Sequence, residues 1–267
     1  MKLPLSAAIA PRLSVLAEAG STNDVLVAEA SAVDLPDFSV VVTGNQTAGR
    51  GRLGRVWVAP PGASLAVSVL LRPVLPGGQP LELAHFGWLP LLAGVAMTRA
   101  VQELVDPARV GLKWPNDVQV DGLKVSGLLA ELLPSADAVV MGAGVNLSLT
   151  REQLPTPVST SLALAGATPE GDELADAVLS AYLRELRELY SDFVRLGADP
   201  VGSGVAEQLD EVCTTIGQQV KVELPGAPDL VGSAVGIDSS GRLRVRRSSD
   251  GGVTAVAAGD VTHLRYE

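Results

Sequence analysis

The sequence predicts an α+β fold, a mixed sheet with helices packed on it, followed by a small all-β domain. Three observations carry this. Up to about residue 200, short apolar strand-like runs are interspersed with long helix-compatible stretches. Asp121-Gly122 sits between two alternating apolar runs, a two-residue hairpin signal that demands antiparallel neighbours. After Gly197 the pattern changes to short alternating runs broken by turn pairs, the spacing of a small antiparallel barrel.

The elements follow in order. Ser21-Thr22-Asn23-Asp24 is a cluster of helix-capping types that opens a helix through Ala30. Runs 38–43 and 64–71 read as strands. Run 81–105 is Ala/Leu-rich and reads as helix despite Pro90. Strands are expected at 109–113, 118–120, 123–131 and 138–147, then a loop with a short helix over 150–168. Run 170–196 is helical, with Leu174, Val178, Tyr182, Leu186, Leu189 and Phe193 on one stripe. The barrel runs are 219–224, 230–237, 242–246 and 253–257, separated by Pro225-Gly226, Ser240-Gly241 and Gly251-Gly252. Arg242, Arg244 and Arg246 fall on one strand face by period two, as a solvated surface. The domains are expected to be 1–212 and 213–267.

Composition bounds the function. At 267 residues, 47% hydrophobic and 19% charged, the chain can bury a sizeable core. Its net charge of −10 is the wrong sign for a protein that lives on nucleic-acid backbones. The single cysteine, Cys213, cannot form an internal disulfide, which fits a reducing cytoplasm, and reads as a buried hydrophobe. With only His85 and His263, histidine catalysis and histidine metal sites have little to draw on. Pro4, Pro11 and Arg12 interrupt the N-terminal apolar stretch too early for a signal peptide, and no apolar run reaches membrane-span length.

Three segments carry chemistry. Residues 49–55, Gly-Arg-Gly-Arg-Leu-Gly-Arg, combine close backbone approach with fixed positive charge and read as an anion-binding loop. The letters match the dinucleotide fingerprint and the kinase glycine loop, but Val56-Trp57-Val58-Ala59-Pro60-Pro61 cannot open the helix a dinucleotide loop needs. No kinase H-R-D or D-F-G is present. Second comes Lys113-Trp114-Pro115-Asn116-Asp117 with the hairpin to Gly127. If Val120 opposes Leu123, Gln119 opposes Lys124 and Val118 opposes Val125. Asp117, Gln119, Lys124 and Ser126 then share one face, with Asp117 and Lys124 diagonal neighbours and Asn116 at the mouth. Third, Gly142-Ala143-Gly144 would let a flat ligand approach backbone, although a tight core strand explains it equally well.

Ser21-Thr22-Asn23, Gln46 through Arg55, Lys113 through Asp117, Lys124-Val125-Ser126-Gly127 and Gly142 through Asn146 occur in the order seen in biotin protein ligases, which the chain resembles. The resemblance runs from about residue 13 to 200. It implies a catalytic domain like that of class II aminoacyl-tRNA synthetases, with an SH3-like β-barrel after it. It also implies a two-step reaction. Biotin and MgATP form biotinyl-5′-AMP, and the biotinyl group then passes to one lysine of a biotin carboxyl carrier domain. Lys124, Arg50 and Arg52 would be catalytic. Ser21, Thr22, Asn23, Gln46, Gly49, Arg50, Gly51, Arg52, Lys124 and Gly127 would bind biotin. Arg52, Arg55, Trp57, Lys113, Asn116 and Asn146 would bind ATP or the adenylate, with Trp57 over adenine unless it is a core residue. Asp117 would hold Mg²⁺, and Trp114 would pack. The loop is expected to act as a mobile lid over the adenylate. About twenty residues precede Ser21, too few for the DNA-binding domain of many relatives, so no repressor function is expected. A lipoate- or octanoate-transferring relative of the same fold and a non-catalytic biotin sensor stand as alternatives.

Overall fold

A computed structural model describes residues 1–224, 228–257 and 260–264. In chain order the elements are α1 (Pro4–Ile9), β1 (Leu13–Leu16), α2 (Thr22–Ala32), β2 (Val40–Thr43), β3 (Gly49–Arg50), β4 (Val56–Trp57), β5 (Ser64–Leu71), α3 (Trp88–Gln102), β6 (Val110–Lys113), β7 (Asp117–Val120), β8 (Leu123–Leu132) and β9 (Val139–Asn146). Then follow α4 (Leu162–Ala165), α5 (Gly171–Arg195), α6 (Val205–Val212), β10 (Gln219–Glu223), β11 (Leu230–Ile237), β12 (Leu243–Arg247), β13 (Val253–Val256) and β14 (Asp260–His263). A seven-stranded sheet runs β1-β2-β5-β9-β8-β7-β6. Its β1–β2 pair is parallel and every other neighbour antiparallel.

One face of this sheet carries bulky side chains and packs under α3 and α5. Val67, Val69, Met141 and Val145 meet Leu92, Tyr182, Leu186 and Phe193 there. All six residues of the predicted α5 stripe are buried. The other face differs along its length. At one end Val41, Leu70 and Val140 pack against Leu26 and Ala30 of α2. Further along, the same face of β5 and β9 carries the cross-strand pairs Ser68–Gly142, Ala66–Gly144 and Ser64–Asn146. Since successive residues alternate faces, bulk fills the α3/α5 side while small residues leave a hollow on the other.

The helix expected at 81–105 begins only at Trp88 and ends at Gln102. Pro90 lies in the first turn, where an absent N–H costs nothing, but its ring would clash with a helical carbonyl four residues earlier. Residues 83–85 form a 3-10 turn instead. The strand expected from residue 38 starts at Val40, because Phe38 adopts a φ of 64°. Elements absent from the sequence reading are α1, β1, β3, β4, α6 and β14, all short. In α1, Leu5 N, Ser6 N and Ser6 Oγ donate to the buried Asp176 carboxylate of α5. The residues before Ser21 are thus part of the main domain.

The hairpin turn is as expected, with positive φ at both Asp121 (51°) and Gly122 (74°), the type I′ requirement. Arg109 lies 2.5 Å from the Asp121 carboxylate and holds its pKa below the usual range. The register is not as expected beyond Gln119–Lys124. A bulge makes Val118 oppose Ser126 and Asp117 oppose Gly127. Ser126 therefore shares the buried Val118 face rather than that of Lys124, and its hydroxyl is enclosed there.

The C-terminal strands form a five-stranded antiparallel sheet, β13-β12-β11-β10-β14, with a bulge at Ala234/Gly236. Turns at Ser240-Gly241 and Gly251-Gly252 have positive φ at Gly241 and Gly251; Pro225-Gly226 lies outside the described residues. Arg242, Arg244 and Arg246 are exposed, as the period-two reading requires. This sheet is seated closely on the main domain. Trp88 Nε1 donates to Ser239 O at 2.9 Å, and Thr214 N to Leu112 O at 2.9 Å. A Cβ placed on Gly87 would lie 2.3 Å from Ser240 O, a backbone atom that cannot step aside. Gly87→Val should therefore separate the two layers, costing about 2 kcal/mol as an overpacking substitution. Thermal unfolding should show the midpoint falling by about 2–4 °C per kcal/mol; an unchanged midpoint would contradict this docking.

Candidate functional site

The hollow on the small-residue face is a cavity of about 590 Å³, roofed by the β3–β4 ribbon and bounded by the β7–β8 hairpin and by β14. Every site residue expected from sequence lines it except Gly49. Arg50, Arg52, Arg55, Lys113 and Lys124 stand around it against a single acid, Asp117. An acidic chain has concentrated positive charge at one concave place, which suits an anionic ligand.

Its floor is the start of α2. Ser21 caps that helix, its Oγ accepting from Asp24 N at 3.4 Å. Thr22 N donates to Gln46 Oε1 at 2.9 Å. Ser68 Oγ lies 2.8 Å from Thr22 Oγ1 and donates to Asn23 Oδ1 at 2.6 Å. Asn23 Nδ2 in turn donates to Glu131 Oε1 at 2.9 Å. Ser68 and Glu131 were missed from the sequence because each sits alone within a strand, with no motif around it. Their partners lie 46 and 108 residues away in the chain. The glycines of β9 line the cavity and also make room for protein side chains. A Cβ on Gly142 would lie 2.3 Å from Asn23 Oδ1, and one on Gly144 would lie 2.6 Å from the Trp57 ring.

In the loop, Gly49 and Arg50 pair with Trp57 and Val56, and residues 52–54 make a 3-10 turn. Gly49 is buried beside the cavity rather than facing it. A Cβ there would meet the Gln46 amide and Trp57 O, both at 2.4 Å. Arg50 is turned toward carboxylates outside the cavity, lying 2.5 Å from Asp24 Oδ1 and 2.9 Å from Glu131 Oε1. The Glu131 and then the Asp24 hydrogen bonds raise its pKa further, so its charge is permanent and already engaged. Arg52 donates to Asn116 Oδ1 at 3.0 Å. Trp57 is half-buried, its indole N–H enclosed by protein and lacking a partner within it.

On the hairpin, Lys124 Nζ lies 2.5 Å from Asp117 Oδ1 and 5.8 Å from the Trp57 ring centroid. The bulge aids this, since it brings Asp117 opposite Gly127, where a Cβ would crowd Lys124 Nζ at 2.8 Å. Asn116 Nδ2 donates to Leu128 O, and Asn146 Nδ2 to Thr160 O, both at 2.8 Å. These amides are anchored to backbone, with their edges at the cavity. Trp114 is buried and packs, preceding a cis Pro115. Cys213 is buried, and burial raises its thiol pKa, which leaves it no role as a nucleophile. The C-terminal sheet contributes Val261, Thr262 and His263, the last 3.1 Å from Thr215 Oγ1. Asp117 stands alone as a candidate metal ligand, because no cluster of three acidic, histidine or cysteine groups exists among the described residues. One carboxylate fits a magnesium ion that arrives on substrate phosphates, which asks little more of a protein.

The arrangement can neutralise two anions side by side while a fixed hydrogen-bonding floor grips a neutral polar head. Ser68 is the keystone of that floor. Ser68→Ala should strand the buried Asn23 carbonyl, leave the Thr22 hydroxyl with Gln46 Oε1 alone, and cost about 1–3 kcal/mol. Urea unfolding measures this; a loss below a few tenths of a kcal/mol would show the network to be incidental.

Comparison with known proteins agrees with this geometry. Residues 17–146 match the biotin/lipoate A/B protein ligase family, and residues 215–264 match the biotin protein ligase C-terminal domain. The chain is 40% identical to a biotin–[acetyl-CoA-carboxylase] ligase of Mycobacterium tuberculosis, over 95% of this chain and 90% of the relative. It is 31% identical to the bifunctional ligase/repressor BirA of Escherichia coli, over 94% of this chain and 73% of that one. Among solved structures it resembles the Aquifex aeolicus biotin protein ligase in complex with biotin and ATP. That match has a TM-score of 0.68 at 25% identity and covers 96% of this chain and all 100% of the other. The Leishmania major enzyme in complex with biotinyl-5-AMP gives 0.61 at 28% identity, over 93% and 99%. The chain belongs to the biotin protein ligase family.

Proposed function

We propose that this protein activates biotin with ATP and transfers it to one lysine of a biotin carboxyl carrier domain, such as that of acetyl-CoA carboxylase. The observation that carries this is the crowding of Arg52, Arg55, Lys113 and Lys124 around one cavity whose floor is a neutral hydrogen-bonding network. In the first step a biotin carboxylate oxygen attacks the α-phosphorus and pyrophosphate leaves. Two anions must meet, so cations that screen their repulsion and stabilise charge on the transferring phosphorus lower the barrier. Lys124 is placed to serve both, since Asp117 and the Trp57 face hold its ammonium at the mouth of the hairpin. In the second step the acceptor amine attacks the acyl carbon, the acyl–phosphate bond breaks, AMP leaves, and the amine proton passes to solvent. Ser21, Thr22, Asn23 and Gln46 would grip the ureido head, and Trp57 would cover the adenine once it leaves Gly144. Asp117 would hold Mg²⁺ brought in by ATP, which neutralises phosphate charge when bound. Gly49 would act through backbone only, and Arg50 through the loop it anchors.

The remaining parts of the reading are also proposals. We place the domain division at 212/213, supported by the C-terminal family match that begins at 215. We propose no DNA-binding role, supported by the net charge of −10, the wrong sign for binding a phosphate backbone. No helix among the described residues is long and apolar enough to cross a membrane, and a cytoplasmic location suits the lone buried thiol.

Incubation with biotin, MgATP and a carrier domain should yield streptavidin-detectable acceptor. Lipoate transfer with no biotin transfer would overturn the reading in favour of the lipoate relatives. Lys124→Ala should lower adenylate formation about 10²–10³-fold, the usual loss for a charge-stabilising group. Its thermal midpoint should stay near wild type, and adenylate formation at wild-type rate would remove Lys124 from the mechanism. A gel-shift at physiological salt should show no sequence-specific DNA complex.

A further inference from the structure

Arg50 borders the cavity, yet its carboxylate partners lie outside the lining and come from two distant parts of the chain. Its Nη2 donates to Asp24 Oδ1 on α2 at 2.5 Å and to Glu131 on β8, at 2.9 Å from Oε1 and 3.0 Å from Oε2. Glu131 Oε1 also accepts from Asn23 Nδ2 at 2.9 Å. A single oxygen thus joins the loop to the cavity floor. Glu131 pairs with Val140, which puts it on the cavity face of the sheet, just past the hollow. Asp24 and Glu131 are like charges gathered around one cation, an arrangement that only the guanidinium makes favourable. One exposed ion pair would be worth little. Here one guanidinium nitrogen, Nη2, serves two carboxylates at once, and one of them is already oriented by Asn23.

We infer that Glu131 and Asp24 are positioning residues that clasp Arg50 and so hold the 49–55 loop over the cavity, with Glu131 linking that grip to Asn23. The inference deepens the ligase reading, since the loop carries Arg52 and Arg55 to the site. Holding Arg50 at the cavity rim fixes one end of the loop, while the ribbon pairing with β4 fixes its direction. A ligand that pulls on Asn23 changes the hydrogen bonding of Glu131, and the loop feels it through Arg50. Coupling of this kind travels through one shared acceptor rather than through backbone.

The test has a structural arm that is independent of ligase chemistry. In ligand-free full-length protein, Glu131→Gln and Asp24→Asn should each raise tryptic cleavage after Arg52 and Arg55, Glu131→Gln about tenfold, the change expected for 1.4 kcal/mol. Thermal midpoints should match wild type, so that a faster cut reports the loop rather than the fold. Arg50→Gln should do the same, and Arg50→Gln with Glu131→Gln should be no faster than either alone, because both remove one interaction. In the kinetic arm, Glu131→Gln should raise the KM for biotin more than it lowers kcat and release more free adenylate per turnover. Glu131→Asp should restore part of the protection. Unchanged cleavage in Glu131→Gln, or multiplicative effects in the double variant, would overturn the clasp. Failure of wild type to biotinylate a carrier domain would overturn the ligase reading instead and leave the proteolysis result standing.

Discussion

The site depends on how volume is divided between the two faces of β5 and β9. Along β5, Leu65, Val67, Val69 and Leu71 point to the α3/α5 core, while Ser64, Ala66 and Ser68 point the other way. On β9, Gly142, Gly144 and Asn146 stand opposite those small residues. A close-packed interior has no room to spare, so removing side-chain volume from one face of two adjacent central strands creates a hollow that packing does not close. Bulk returns at Leu70 and Val140, where α2 seals the layer. The start of α2, the loop and the hairpin gather at the border between filled and unfilled sheet.

Charge is divided with the same economy. The chain is acidic overall, yet the charged side chains lining the hollow are cationic apart from Asp117. Three of the five cations have named restraining neighbours: Lys124 has Asp117 and the Trp57 face, Arg52 has Asn116, and Arg50 has Asp24 and Glu131. Restraint matters because a preorganised charge does not have to reorient when negative charge develops beside it. The carboxylates of the clasp offset the charge of Arg50, so the positive charge at the cavity rests mainly on Arg52, Arg55, Lys113 and Lys124.

The β7–β8 bulge shows how one extra residue redirects chemistry. Without it Ser126 would stand beside Lys124, and a side chain would replace the space that Gly127 provides. With it Ser126 enters the core and Gly127 faces Asp117, which lets the lysine lie flat against backbone. The C-terminal sheet completes the wall through Val261, Thr262 and His263. Its seating on Gly87 and Trp88 makes it part of the site rather than an appendage.

Local signals carried much of this in the sequence. Alternation marked the long strands, the α5 stripe marked its buried face, and Asp121-Gly122 marked the turn, because each depends on residues a few positions apart. The motif residues that line the cavity were legible for the same reason. What tertiary structure alone decided was everything set by partners far apart in the chain. The bulge moved Ser126 into the core. Arg50 was drawn to Glu131, which lies 81 residues away. Gly142 and Gly144 proved to make room for Asn23 and Trp57 as well as lining the cavity. Short elements such as β1 and β14 bury too few residues to show a period, and they exist because a neighbouring strand offers them hydrogen bonds. A sequence states the types of residue that chemistry needs; which of them face each other is settled by pleat, register and packing.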